Sequence, residues 1–200
     1  YISIKFGAMI EDLLNYNTNI KIGNGKLLIS EPMLQDKSFQ KSVIYICHHD
    51  AKESVGYVLN KKADHDLSSL ISELNGIYFP LYIGGPVGLD SLHIIHSVPD
   101  LIGGDLINEN IYWSGDLESA IENIKLGKIN ESNCKFFIGY SGWGEGQLDA
   151  ELDMSSWLVS NATDEQVFAT NDDLLWKESV VALGNKFNPL LYVPLSPEFN

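Results

Sequence analysis

Two hydrophobic spacings share this chain. Residues Phe6, Met9, Ile10 and Leu13 fall at i, i+3, i+4 and i+7, which predicts an amphipathic helix ending near residues 15–19. The pattern then shortens. Residues 25–30 read as a strand stopped by Glu31-Pro32, because proline removes a donor and disfavours helix for the residue before it. In residues 42–48, Val43, Tyr45 and Cys47 take one face and Ile44 and Ile46 the other; two apolar faces predict a central strand. Residues 55–60 form the next strand, close enough for an antiparallel hairpin. Leu67, Leu70, Ile71 and Leu74 return to helical spacing, with Asn75-Gly76 as the stop.

The second half continues this mixture. Strands are predicted at 79–83, 92–98, 111–113, 136–138, 157–159 and 166–169, with a loop at 99–104. Leu117, Ala120, Ile121 and Ile124 mark a helix that Ser114 or Asp116 can cap and Gly127 closes. Another helix is predicted over 147–153. A last one starts at Asp172-Asp173, presents Trp176, Val180 and Leu183 on one face and stops at Gly184. The three prolines of 188–200 predict an extended tail. An early hairpin within a mixed order of strands and helices argues for an α+β fold rather than a βαβ series. A single domain over residues 1–200 is expected, with an accessory helix in 1–19 and an extended tail from 185 to 200.

The chain is organised around residues 136–152, FFIGYSGWGEGQLDAEL. An apolar strand runs into Gly139, Gly142, Gly144 and Gly146, interleaved with Tyr140, Ser141 and Trp143, and a helix start at Gln147 follows. Glycines allow positive φ and close backbone approach, and helix N-termini present unpaired amides. A tight loop here could receive an anion or a carbonyl oxygen, or could be a turn that only glycines make. Gly84-Gly85-Pro86-Val87 is a second such corner.

Composition narrows the chemistry. The formal net charge is −14, the apolar fraction 44% and the charged fraction 20%, as in a soluble globular protein. The first hundred residues carry 8 Lys against 11 acidic residues; the last hundred carry 5 against 16. The chain has no arginine, the side chain most used for guanine edges and for bidentate phosphate contacts. Direct nucleic-acid binding is therefore not expected; a basic partner is compatible. Cys47 and Cys134 do not make a disulfide framework, no apolar run reaches 18 residues, and no signal peptide is expected, so the cytoplasm is the expected compartment.

Reactive side chains are weakly signalled. Gly139-Tyr140-Ser141-Gly142-Trp143 looks like a nucleophile elbow, but Trp143 stands where an elbow needs glycine, and no histidine follows Ser141. Ser141 stabilising its own loop is the simpler reading. Cys47 precedes His48 and His49, and strand alternation favours His49 as its partner. His93 and His96 have a helical metal-ligand spacing, but on a strand they diverge. No metal or cofactor is expected. The two glycine corners can shape a pocket, with Tyr140 and Trp143 as an aromatic wall and Gln147 and loop amides as hydrogen-bonding groups. Alternatively they let two backbones cross, with Trp143 as a core plug.

The segments GKLLISEP (25–32), DKSFQKSVIYICHH (36–49), GYVLN (56–60), YIGGPV (82–87), SLHIIH (91–96) and 136–152, with Trp157-Leu158 after them, resemble the AlgH/YqgE family. They spread over most of residues 24–184. The resemblance implies a bent, mixed and largely antiparallel sheet rolled into a partial barrel with flanking helices. It implies no established chemistry; the family carries a historical label of transcriptional regulator. Lys41 stands where the family commonly has arginine, and the usual proline between Asp36 and Phe39 is missing. The resulting expectation is a binding module for an unknown protein or small ligand, acting on transcription only indirectly. Its expected site is Gly84, Gly85, Pro86, Tyr140, Ser141, Gly142, Trp143, Gly144, Gly146 and Gln147. The alternative is a thiol-dependent enzyme using Cys47 with a nearby histidine.

Overall fold

In the computed structural model, residues 18–193 are described. The helix expected around residues 6–13 and the end of the tail, 194–200, lie outside them. The described strands are β1 (Lys26–Ser30), β2 (Val43–His49), β3 (Ser54–Val58), β4 (Leu81–Ile83), β5 (Val87–His96), β6 (Asp105–Asn108), β7 (Ile111–Trp113), β8 (Cys134–Trp143) and β9 (Trp157–Asn161). They form one curled sheet in the order β6-β7-β5-β8-β3-β2-β1-β9, a half-barrel of antiparallel pairs, with β4 added parallel to β8. The helices are α1 (Pro99–Ile102), α2 (Leu117–Lys125), α3 (Gln147–Asp153), α4 (Asp164–Val167) and α5 (Asp172–Ala182). The fold is α+β.

Strand β2 has two buried faces, as its sequence predicts. Val43, Tyr45 and Cys47 enter a core inside the curl with Leu27, Tyr57, Phe137, Trp176 and Val180. Ile44 and Ile46 enter a second core beneath α3 with Leu28, Val58, Trp143, Leu148 and Trp157. A third core packs the 67–74 segment and α2 against Phe136, Ile94 and Leu81. Burying both faces of the sheet removes far more apolar surface from water than a one-sided sheet could.

Strand β8 is the hub. Its first half pairs with β4 on one edge and β5 on the other, with Leu81 opposite Phe136 and Ile94 opposite Phe136. Its second half leaves β4 and pairs with β3, setting Gly56 opposite Ser141 and Ser54 opposite Trp143. The change of partner occurs at Gly139, whose φ of +63° bends the strand.

Several expectations are corrected. The strand expected at 136–138 runs on to Trp143, so Gly139–Trp143 is not a loop; the loop is Gly144-Glu145-Gly146. The helix expected over 67–74 is two 3₁₀ turns, Leu67–Ser69 and Ser72–Leu74. There Asp66 accepts from the Ser68 amide (2.8 Å) and hydroxyl (2.6 Å), a local alternative to the helical ladder. The strand expected at 166–169 is replaced by α4, which opens with a Thr163/Gln166 capping box. Of the two candidate caps for α2, Asp116 accepts from the Ser119 amide at 2.8 Å. The tail expected to be extended from residue 185 coils into 3₁₀ turns over Asn185–Tyr192, burying Phe187 and Leu190. Residues 99–104, expected as a loop, begin with the single turn α1, and β6 was not predicted.

Candidate ligand-binding groove

The two glycine corners meet. Gly84 stands where β3, β4 and β8 converge: its amide donates to Ile138 O (2.9 Å), and its carbonyl accepts from Val58 N (2.9 Å) and from the Ser141 hydroxyl (2.9 Å). A Cβ on Gly84 would lie 2.4 Å from Gly139 O; one on Gly85 would lie 2.3 Å from the Tyr140 carbonyl. No side chain fits there, so Gly84, Gly85 and Gly139 let the 84–87 corner lie flat on β8. Ser141 is fully buried, and its hydroxyl donates to that crossing. It is a structural tie and lacks the exposure that a nucleophile needs.

Trp143 is a plug. It is 5% exposed, its indole packs edge-on to Trp157 with centroids 6.2 Å apart, and both indole N–H groups donate to Glu151 Oε2, at 2.9 and 2.7 Å. Gln147 Nε2 reaches the other oxygen of the same carboxylate at 3.1 Å, and Gln147 Oε1 accepts from Gly144 N at 3.2 Å. Gln147 thus fastens α3 to the loop. Glu151 is a functional residue that the sequence did not single out: it lies eight residues after Trp143 and six before Trp157, on a different element from either.

Beside this scaffold lies a groove of about 540 Å³, within the range typical of ligand pockets. Val55, Tyr57, Val87, His93, Trp113, Tyr140, Gly142, Trp143 and Gly144 line it, with Lys52, Glu53 and Ser54 at its edge. Of the expected site residues, Tyr140, Gly142, Trp143 and Gly144 reach the groove. Gly84, Gly85 and Ser141 lie behind it, while Pro86, Gly146 and Gln147 are outside its lining.

The wall is largely residues that the sequence did not single out for a pocket. Tyr57 packs against His93 (5.2 Å) and Trp113 (6.2 Å), and His93 against Tyr140 (5.8 Å). Trp113 Nε1 donates to the Tyr57 hydroxyl at 2.9 Å. Burial holds the Tyr57 phenol well above its ordinary pKa and pulls the His93 imidazole below its own, so both are neutral at pH 7. The Nε2 of His93 is shielded from solvent and has no hydrogen-bond partner among the described residues. His96 contrasts: Nδ1 accepts from Val98 N (3.2 Å) and Nε2 donates to Ser114 O (2.9 Å), so it is a satisfied core histidine.

The thiol site is not assembled. Cys47 is 4% exposed, and burial raises its pKa well above that of a free thiol. His49 bonds Ser54 at 2.8 Å, and His48 pairs with Asp50 at 3.4 Å. Among the described residues, no group of three or more His, Cys, Asp or Glu side chains could hold a metal. Also among them, no helix is long and apolar enough to cross a membrane.

The sequence profile of the AlgH-like family matches residues 27–188. This chain belongs to the AlgH-like family. A UPF0301 protein of Parabacteroides distasonis is 40% identical over 179 residues, covering 88% of this chain and 90% of that one. Another from Cytophaga hutchinsonii is 35% identical over 178 residues, covering 88% and 98%. A Corynebacterium diphtheriae crystal structure has the same fold, with a TM-score of 0.75 at 22% identity, covering 89% of this chain and 96% of that one. The solution structure of AlgH from Pseudomonas aeruginosa matches with a TM-score of 0.66 at 23% identity, covering 88% and 98%.

Proposed function

We propose that this AlgH-like protein is a non-enzymatic binding module whose groove beside β8 takes a small ligand, and that any influence on transcription is indirect. One observation carries the reading: a concave, aromatic-walled groove contains His93, a neutral imidazole with a buried, unpartnered Nε2. Apolar and aromatic lining supplies the bulk of binding energy in such sites, and a few polar atoms fix orientation. A shielded polar atom without a partner is costly, so a ligand that shifts the aromatic wall enough to reach His93 Nε2 gains more than the bond alone. The glycine corners support the wall from behind, and Trp143, locked by Glu151, fixes one end of it.

A fragment library screened by protein-observed NMR tests this. Hits are expected to move the resonances of Tyr57, His93, Trp113 and Tyr140 together. Gly142 is exposed, and a Cβ there would stand 3.0 Å from the Tyr140 ring. Gly142→Val is expected to block the hits while the spectrum otherwise stays folded. Hits that cluster elsewhere, or that persist in Gly142→Val, contradict the reading. For the indirect route, a gel shift with sequence preference that survives ~200 mM salt would overturn it.

A further inference from the structure

A separate pocket of about 390 Å³ lies where β2 and α5 begin, and its charge runs against that of the whole chain. Lys41, Lys61 and Lys177 line it, in a protein with a net charge of −14 and 13 lysines in all. Trp176 contributes aromatic surface, with Lys41 Nζ 5.6 Å from its ring centre. None of the three lysines pairs with a carboxylate within 4.0 Å among the described residues. Asp172 also lines the pocket; its Oδ2 pairs with Lys62 at 3.0 Å, while its buried Oδ1 has Lys135 at 3.8 Å and no hydrogen bond among the described residues. Asp173 lines it too, and Asp36 lies close enough to Lys61 to act on its charge.

The Lys41 backbone and the Lys61 ammonium are held in place. Lys41 adopts a φ of +49°, a left-handed conformation that an ordinary side chain takes only when its surroundings impose it. Asn60 imposes it: its Nδ2 donates to Lys41 O at 2.9 Å, and its Oδ1 accepts from Val43 N at 2.9 Å. Lys61 Nζ is anchored on two carbonyls, Lys37 O at 3.0 Å and Ser38 O at 2.7 Å, which leaves one ammonium proton to give. Partial burial pulls the Lys61 pKa down, against the opposite pull of the Asp36 carboxylate.

We infer that this pocket is a second binding site, for a small oxyanion bearing phosphate or carboxylate groups, gripped by Lys41, Lys61 and Lys177 against Trp176. Lysine is a point-charge ligand for such groups, and the lining carries three lysines against Asp172 and Asp173. The inference is independent of the groove beside β8.

The test titrates the full chain with inorganic phosphate in one arm and citrate in the other, at ionic strength matched with NaCl. The readouts are the lysine side-chain resonances and the Trp176 indole N–H, which donates to Ser30 O at 2.9 Å. Saturable shifts confined to Lys41, Lys61, Lys177 and Trp176 are expected, and the tighter arm names the group. Lys177→Gln should weaken binding about tenfold. Lys41→Gly should do the same while relieving the backbone, so its fold is retained. Three results would each overturn the site. One is no saturation below ~10 mM in either arm. The others are shifts spread evenly over remote lysines such as Lys52 and Lys128, and unchanged binding by Lys41→Gly and Lys177→Gln.

Discussion

At the scale of single residues, the glycines of the motif divide into two kinds. An added Cβ at Gly84 or Gly85 would meet backbone atoms at 2.3–2.4 Å, whereas one at Gly144 would meet nothing within 4 Å. Gly85→Ala is expected to cost about 3 kcal/mol or more in urea unfolding, since two backbones must separate. Gly144→Ala should stay within about 0.5 kcal/mol of wild type. Equal effects at the two positions would mean that the corners are not packed as described. Glu151 is the other decisive residue. Glu151→Ala strands the indole N–H groups of Trp143 and Trp157 in a core where both are about 5% exposed. A loss of about 3 kcal/mol is expected, with Glu151→Gln retaining an acceptor and losing about half of that. The two indole N–H resonances should shift together in either variant. The sequence could not show this clamp, because carboxylate and indoles are brought together by the loop 144–146 and by the start of β9.

At the scale of elements, strands with strong apolar alternation and helices with good caps were legible. β1, β2, β3, α2, α3 and α5 lie close to where hydrophobic period and cap residues put them. Misreadings came where local side-chain bonds or tertiary pairing overrode the period. Residues 67–74 have helical spacing, but the bonds of Ser68 and Ser69 to Asp66 draw the backbone into a 3₁₀ turn at its start. Residues 139–143 look like a loop because they are rich in glycine, yet β3 and β5 recruit them as strand. β6 is short, largely exposed and without alternation, so nothing local marks it. The glycine corners were recognisable, and so was Tyr140. The remaining aromatic wall was not, because Tyr57, His93 and Trp113 come from β3, β5 and β7 and are neighbours only once the sheet curls.

At the scale of the whole molecule, buried titratable groups tie stability to pH in two windows. Desolvation lowers the pKa values of His93 and His96 below 6.5, so below that pH the unfolded chain binds more protons than the folded one. Their contribution is complete above pH 6.5 and is lost as the pH falls through and below it. Lys135 is 2% exposed, bonds Leu59 O at 3.0 Å and sits 4.2 Å from the Tyr82 ring centre, and burial lowers its pKa to about 8. The cost of burying its charge is therefore full below pH 8 and is relieved as the pH rises from 8 towards 10.5. Urea midpoints measured across pH 5–10 should fall on the acid side, and the alkaline gain from Lys135 should vanish in Lys135→Met. A midpoint that rises on acidification from pH 6.5 to 5 would contradict the histidine assignment.

The same scale holds the central claim, that curling the sheet around β8 creates a ligand groove out of aromatic residues distant in sequence. Its most direct measurement is the imidazole ¹⁵N spectrum of His93, recorded as the strongest fragment hit is titrated into the full chain at pH 7. A saturable shift of the His93 Nε2 resonance, absent for His96 and lost in Gly142→Val, is the predicted result. An Nε2 signal that stays fixed while the hit saturates the protein would place binding elsewhere and contradict the claim.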